Sequence, residues 1–295
     1  MENKPKIGLY GMGGWSQLFF FLFLVLGGYM IAITITVLLV DVSRLSESAG
    51  VMRMALTIQS LCLFLIPSLL FAFVCQENPK NYLKTEHYQN WSFLIISVAL
   101  IIVIQPVIGA IGYYNQQLTL PECMSSIELW MQESERSAEK TVGLLFADKT
   151  IEGLVFNILV LAVVAGLAEE FFFRGSLQQI INKIVKNSHA AIWITAFIFS
   201  AIHFQFYGFV PRLLLGALMG YLFVWSGNIW VPVLVHTINN LIGVILSYVY
   251  YGTPVYEELD NFDLVDNIWF IIPSFAISLF FIFILYRRKK EGRII

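Results

Sequence analysis

Long apolar runs separated by short polar segments dominate the chain. The runs are about 18 to 24 residues long, the length that a helix needs to cross roughly 30 Å of hydrocarbon at about 1.5 Å per residue. Eight runs are predicted, at 15–40, 54–75, 91–111, 153–174 or somewhat beyond, 189–207, 211–226, 229–250 and 267–286. The pattern therefore predicts an all-α, polytopic membrane helix bundle with about eight transmembrane helices.

The composition also points to a membrane environment. Hydrophobic residues make up 58% of the 295 residues and charged residues only 13%, which leaves too little polar surface for a water-soluble globule of this size. We therefore expect the lipid bilayer to surround the protein, and we expect no nucleic-acid partner.

Polar stretches divide the chain into three predicted parts. Residues 1–150 hold three transmembrane helices and an acidic extracytoplasmic loop, residues 151–250 hold the core helices that carry the chemistry, and residues 251–295 hold an acidic loop, the last transmembrane helix and a basic tail. The longest polar stretch, Gly112–Thr150, is expected to be a loop with a short surface helix.

The positions of the basic residues predict the orientation, because Lys and Arg near the ends of membrane spans stay in the cytoplasm. With eight spans and both termini cytoplasmic, twelve of the eighteen basic residues lie inside. They are Lys4, Lys6, Lys80, Lys84, Arg174, Lys183, Lys186, Arg287, Arg288, Lys289, Lys290 and Arg293. A bacterial plasma membrane is the expected location.

Ionisable residues within the apolar runs are the first candidates for function, since each costs at least about 2.5 kcal/mol to insert. Glu169 and Glu170 are adjacent, and Arg174 follows Glu170 by four residues. On a helix Glu170 and Arg174 share a face, whereas Glu169 points about 100° away. We expect Arg174 to neutralise Glu170 and Glu169 to act as general base; the alternative is an interfacial ion pair at a helix end.

Two further runs carry histidines. His203 follows Phe199 by four residues, and His236 precedes Asn240 by four residues, so that each pair projects from one helix face. A single His203 among aromatic residues could equally be a hydrogen-bonded packing residue, and His236 with Asn240 could form hydrogen bonds between helices that are purely structural. Together with Glu169, however, they supply what water attack on an amide bond requires: a base, and donors for the developing oxyanion. His189, at a span entrance, is expected to be interfacial.

These three segments resemble the CPBP/ABI family of intramembrane proteases, the CAAX prenyl endopeptidase-like and bacteriocin-processing proteins. Its EExxxR pattern is matched by Glu169, Glu170 and Arg174, its FxxxH pattern by Phe199 and His203, and its HxxxN pattern by His236 and Asn240. The resemblance covers about 150–250.

The resemblance implies an endopeptidase that cleaves a membrane-associated or small peptide substrate. Glu169 and His203 would activate water, His236 and Asn240 would stabilise the oxyanion, and Glu170 and Arg174 would shape the site. The family label of metalloprotease leaves zinc open as a cofactor, with Glu169, His203 and His236 as candidate ligands, but no HExxH motif is present. A catalytically silent immunity or regulatory protein on the same scaffold and a proton-coupled transporter remain alternatives.

The predicted spans leave one difficulty. A fifth span that starts near residue 189 places His203 some 21 Å deep at about 1.5 Å per residue, whereas Glu169 lies near the inner end of a helix that stops at 174. Extending the fourth helix to about Lys183 brings Glu169 to mid-depth, where the two side chains could meet.

Overall fold

The computed structural model describes residues 11–260 and 262–290, and every regular element in these ranges is a helix. The predicted all-α fold class is therefore confirmed. The helices are α1 Gly14–Leu39, α2 Ala49–Cys75, α3 Pro79–Leu83, α4 Trp91–Val103, α5 Gln105–Gln116, α6 Ser125–Ala147, α7 Ile151–Val185, α8 Ser188–Ala201, α9 Phe209–Ser226, α10 Trp230–Tyr250, α11 Pro254–Asp260 and α12 Ile268–Lys290.

The predicted count of eight spans is not confirmed. Within the described ranges six helices are long and apolar enough to cross a membrane, or seven if α4 and α5, which meet at a 42° bend, form one span. The run predicted at 189–207 contains only the 14-residue α8, which measures about 21 Å and falls short of roughly 30 Å of hydrocarbon. The apolar sequence continues past Ala201, but the chain turns there.

The polar stretch before α7 is more ordered than expected. Instead of a loop with a short helix, α6 runs for 23 residues. Leu145 and Phe146 near its end are buried and pack with Val244 of α10. An ion pair at i,i+3 between Glu133 and Arg136 lies on its exposed side. The tertiary contact at one end therefore stabilises this helix. Its polar sequence gave no indication of its length.

Helix α7 is the longest element and carries the predicted glutamates. It continues through Lys183 to Val185, as the extension of the fourth helix predicted, and ends where Lys186 adopts a left-handed conformation. Two π-helical segments, Ile158–Val164 and Phe171–Leu177, lie on either side of Glu169 and Glu170. Such segments are rare and occur frequently at functional sites.

Helices α8 and α9 pack closely through two glycines of α9, Gly216 and Gly220. A Cβ at Gly216 would lie 3.1 Å from the Phe199 ring, and one at Gly220 would lie 2.9 Å from Ile192. Because these positions carry no side chain, α8 can lie directly against α9. The contact brings the end of α8, and with it His203, beside the centre of α7.

Arg174, which was counted among the cytoplasmic charges, is fully buried within the bundle. It lies in the Phe171–Leu177 segment of α7, well before the helix end, because its charge is matched inside the protein rather than by headgroups. The terminal charges Lys4, Lys6 and Arg293 lie outside the described residues. The predicted three-part division and the cytoplasmic termini stay predictions.

Candidate active site

A cavity of about 600 Å³ lies among α2, α7, α8, α9 and α10. We call it the main cavity. Four of the six predicted site residues line it: Glu169, His203, His236 and Asn240. The remaining two, Glu170 and Arg174, are buried behind its wall. The structure thus brings together side chains from two helices and one turn that are up to 71 residues apart in sequence, from Glu169 to Asn240.

Glu170 and Arg174 form a buried ion pair on one helix. Nη1 of Arg174 donates to Oε1 of Glu170 at 2.7 Å, and the two side chains are 1% and 0% exposed. Nη2 of Arg174 donates to the backbone carbonyl of Gly216 at 2.7 Å, and the guanidinium lies 5.1 Å from the centre of the Phe199 ring. Arg174 therefore connects α7 to both α8 and α9.

His236 joins this pair from α10. Its Nδ1 lies 2.7 Å from the same Oε1 of Glu170. Because a carboxylate oxygen only accepts, Nδ1 carries the proton and donates it, which leaves Nε2 directed toward Glu169, 3.8 Å from its Oε2. The approach of α10 is possible because Gly166 has no side chain: a Cβ there would lie 2.8 Å from Oγ1 of Thr237.

Glu169 differs from its neighbour in every respect that matters for proton transfer. Its side chain is 15% exposed, faces the main cavity, and has no arginine within ion-pair distance among the described residues. The adjacent glutamates therefore divide as the helical geometry predicted: one is held in the bundle interior, and the other faces open space.

His203 lies just beyond the end of α8, in the turn that leads to α9. Its Nδ1 is 2.7 Å from the carbonyl of Phe199, and a carbonyl accepts, so Nδ1 is the protonated nitrogen. In the neutral ring Nε2 is then an acceptor. The turn itself is strained, since the next residue, Phe204, has φ of 53°.

Asn115 of α5 holds this turn in place, and sequence reasoning missed it. Its Nδ2 donates to the carbonyl of Phe206 at 2.9 Å, and its Oδ1 accepts from the backbone N–H of Val210 at 2.7 Å. Arg212 adds bonds from its two Nη atoms to the carbonyl and the side chain of Gln205, at 3.0 and 3.1 Å. The only signal in the sequence is an asparagine near the end of an apolar run.

A chain of amides orients Asn240, and it too was missed. Gln105, at the bend between α4 and α5, donates to Oδ1 of Asn239 at 3.1 Å. Asn239 donates in turn to Oδ1 of Asn240 at 3.4 Å, and Nδ2 of Asn240 donates to the carbonyl of Leu161 at 3.1 Å. One N–H of that Nδ2 group is used, and the second is available to the main cavity.

The zinc ligand set that the sequence left open is not supported by this arrangement. Among the residues that the structure describes, no three His, Cys, Asp or Glu side chains lie close enough together to hold a metal ion. Nδ1 of His203 is bound to the Phe199 carbonyl and Nδ1 of His236 to Glu170, so neither Nδ1 atom is available as a metal ligand. The label of metalloprotease therefore has no structural support.

Comparison with known proteins finds the same segment. Residues 151–242 match the family model "Type II CAAX prenyl endopeptidase Rce1-like". The segment that builds the site is thus similar to this family. The resemblance that the three motifs predict, to the CAAX-type intramembrane proteases, is thereby confirmed. The matched segment contains all six predicted site residues, and the match together with the apolar helices supports an integral membrane protein.

Two curated relatives match part of the chain. "Uncharacterized protein YpbD" of Bacillus subtilis (strain 168) is 31% identical over 102 residues, which cover 33% of this chain and 47% of that protein. "Uncharacterized 24.3 kDa protein" of Escherichia coli is 28% identical over 114 residues, which cover 37% of this chain and 52% of that protein. The chain thus spans about half the length of the curated relatives it matches. No solved structure matches the chain significantly.

Proposed function

We propose that the protein is an intramembrane endopeptidase that hydrolyses a peptide bond in a membrane-associated or small peptide substrate. The observation that carries the proposal is the position of Glu169 at the main cavity beside His236, with its neighbour Glu170 neutralised behind the wall by Arg174. A carboxylate that faces a cavity between apolar helices, in a lining that also contains two imidazoles, has the surroundings of a general base.

The proposed reaction begins with a water molecule between Glu169 and His203. Glu169 accepts a proton from the water, while Nε2 of neutral His203 accepts the water's second hydrogen bond and orients it. The hydroxide forms a bond to the carbonyl carbon of the substrate, and the carbonyl oxygen becomes an oxyanion. His203 is suited to this role because the Phe199 carbonyl fixes its tautomer.

The oxyanion then accepts hydrogen bonds from two side chains of α10. Nδ2 of Asn240 has a second N–H available, and His236, when protonated on both nitrogens, donates from Nε2. Glu169 passes its proton to the amide nitrogen, the C–N bond breaks, and the products are a carboxylic acid and an amine, between which the remaining proton transfers to give a carboxylate and an ammonium. Glu170 and Arg174 hold His236 and do not contact the substrate in this scheme.

Isotopic labelling tests the proposal directly. Purified full-length protein in liposomes is incubated with a defined peptide library in H₂¹⁸O, and new termini are identified by mass spectrometry. Each cleavage should place one ¹⁸O in the new carboxylate. The Glu169→Gln and His203→Ala variants should lose turnover by about 100-fold or more, the usual contribution of a general base. Glu152→Gln in the exposed first turn of α7 and His189→Ala serve as matched controls.

The remaining alternatives give different results in the same system. Equal cleavage by Glu169→Gln and wild-type protein would contradict the enzyme proposal. A silent immunity or regulatory protein yields no labelled termini, whereas a proton-coupled transporter yields proton or solute flux that depends on Glu169. Treatment with a chelator, followed by addition of Zn²⁺, tests in the same turnover measurement whether the reaction requires a metal ion.

The setting of the reaction follows from the charges and the family. We propose a bacterial plasma membrane with both termini in the cytoplasm, an orientation that requires α8 and α9 together to enter from and return to the cytoplasmic side. The substrates that we propose are peptides rather than nucleic acids. Cysteine accessibility tests the orientation. Cysteines placed in the 76–90 and 227–229 connections should react from the cytoplasmic side, and cysteines placed in the 117–124 connection should react from the opposite side.

A further inference from the structure

A second polar cavity, of about 270 Å³, lies where α3, α7, α8 and α9 meet. It shares no lining residue with the main cavity. Two lysines line it together with amides, hydroxyls and apolar side chains, and no carboxylate is among the lining residues. We call it the lysine pocket and define it by Tyr82, Lys84, Gln178, Lys183 and Ser188.

Lys84 is the most unusual member. It ends α3 in a left-handed conformation, with φ of 53°, and its ammonium lies 4.5 Å from the centre of the Phe223 ring. Within residues 11–260 and 262–290 its Nζ has no hydrogen bond and no carboxylate at ion-pair distance. Burial lowers the pKa of Lys84 below its ordinary value. A half-buried cation in this state gains free energy from any anion that reaches it.

The rest of the pocket supplies further hydrogen-bonding capacity. Nζ of Lys183 donates to the carbonyl of Met12 at 2.7 Å, which leaves two of its three N–H groups for a ligand. Among the described side chains, the hydroxyl of Tyr82 and Oε1 of Gln178 are buried without a hydrogen-bond partner, and Gln178 is only 3% exposed. Ser188 begins α8, whose N-terminus favours negative charge.

We infer that the lysine pocket binds a phosphate group. Phosphate oxygens can accept from both ammonium groups and from the Tyr82 hydroxyl, and a P–OH or glycerol hydroxyl can donate to Oε1 of Gln178. Two sources carry this chemistry: the headgroup of an anionic phospholipid such as phosphatidylglycerol, and free inorganic phosphate. Basic pockets between membrane helices on the cytoplasmic side are known to bind lipid headgroups, and both lysines belong to the predicted cytoplasmic set.

The test uses the full-length protein, delipidated in detergent. Its thermal unfolding is followed during titration with phosphatidylglycerol, with phosphatidylcholine or with sodium phosphate. The inference predicts a saturable rise in Tm with phosphatidylglycerol or with phosphate, and none with phosphatidylcholine. Lys84→Gln should weaken the apparent affinity by a factor of about ten, the loss of one charge-assisted hydrogen bond. Lys80→Gln, on the exposed side of α3 and outside the pocket, is the matched control.

The three titrations distinguish a lipid headgroup from free phosphate as the ligand, and they can overturn the inference. A response to phosphatidylglycerol alone assigns a lipid headgroup, and a response to phosphate that competes with the lipid assigns the free ion. If Lys84→Gln does not fold, Lys183→Gln carries the same expectation, while Lys84→Arg should retain binding. Equal affinities for the wild type, Lys84→Gln and Lys80→Gln, or no saturable response to either probe, would refute the site.

Discussion

Nδ1 of His236 lies 2.7 Å from Oε1 of Glu170, the oxygen that also accepts from Arg174. Two helices that are far apart in sequence are therefore joined at a single carboxylate oxygen. Because that oxygen has two donors, Glu170 is fixed in the bundle interior, while the neighbouring Glu169 remains directed into the main cavity. The roles of the two glutamates can accordingly be distinguished by substituting each of them in turn.

Glu170→Gln should destabilise the fold. The amide is nearly isosteric but leaves the Arg174 guanidinium buried without its counter-charge, and breaking a buried pair in this way costs about 3 to 5 kcal/mol. We expect a clear drop in Tm in detergent, measured by intrinsic tryptophan fluorescence. Glu169→Gln, one residue away and cavity-facing, should change stability by less than about 1 kcal/mol. The reverse order of the two Tm values would contradict this division.

Asn115→Ala should impair turnover more than stability, because it removes two hydrogen bonds from the turn that follows His203. The two bonds contribute about 0.5 to 1.5 kcal/mol each, and a displaced His203 loses its alignment with the water. We expect kcat to fall about tenfold or more while KM changes little. Gln117→Ala, two residues later and exposed, is the control; an equal loss in both variants would argue against a positioning role.

Gly166→Ala should disturb the contact between α7 and α10. The new Cβ would lie 2.8 Å from Oγ1 and 3.2 Å from the backbone nitrogen of Thr237, so α10 must move and take His236 with it. Overpacking of this kind costs about 1 to 3 kcal/mol. Gly243→Ala, in an open position of α10, should be neutral or slightly stabilising. Thr237→Ala should restore part of the loss, because it removes the nearer of the two clashing atoms.

The stability of the fold should fall in acid through Asp148. The side-chain and backbone hydrogen bonds from Thr150, followed by the bond from Arg53, hold the pKa of Asp148 below its ordinary value of 3.8. A carboxyl whose pKa is lower in the folded state stabilises the protein above the unfolded pKa and loses this contribution as the pH falls through the folded pKa. Asp148→Asn should therefore lower Tm at about pH 6, and the difference from wild type should shrink toward about pH 3. A constant difference would exclude the carboxylate as its cause.

Much of the site could be predicted because its determinants are local. Glu169, Glu170 and Arg174 lie on one helix, so a spacing of four residues was enough to separate the paired glutamate from the free one. The same spacing placed His203 one turn after Phe199, and in the structure its Nδ1 contacts the Phe199 carbonyl, a bond that the sequence did not specify. Gly216 and Gly220, also four residues apart, lie on the face of α9 against which α8 packs.

The parts that could not be predicted depend on distant partners. Gln105 and Asn239 are 134 residues apart, and Asn115 and Phe206 are 91 residues apart; neither spacing carries a helical or strand period. The predicted length of the helix at 189–207 was wrong for a related reason. Its apolar pattern continues beyond Ala201, and the turn that ends the helix is held by Asn115 from another element.

The position of Glu170 and Arg174 on one helix has a consequence for biogenesis. Each charge alone opposes entry into the bilayer by about 2.5 to 3.5 kcal/mol, but the partners lie four residues apart and can neutralise each other as soon as α7 is helical. These two charges can thus enter the membrane already matched to each other, before α9 or α10 has been synthesised. His236 arrives later, so the reactive centre is assembled only after the helix that bears its charges already lies in the membrane.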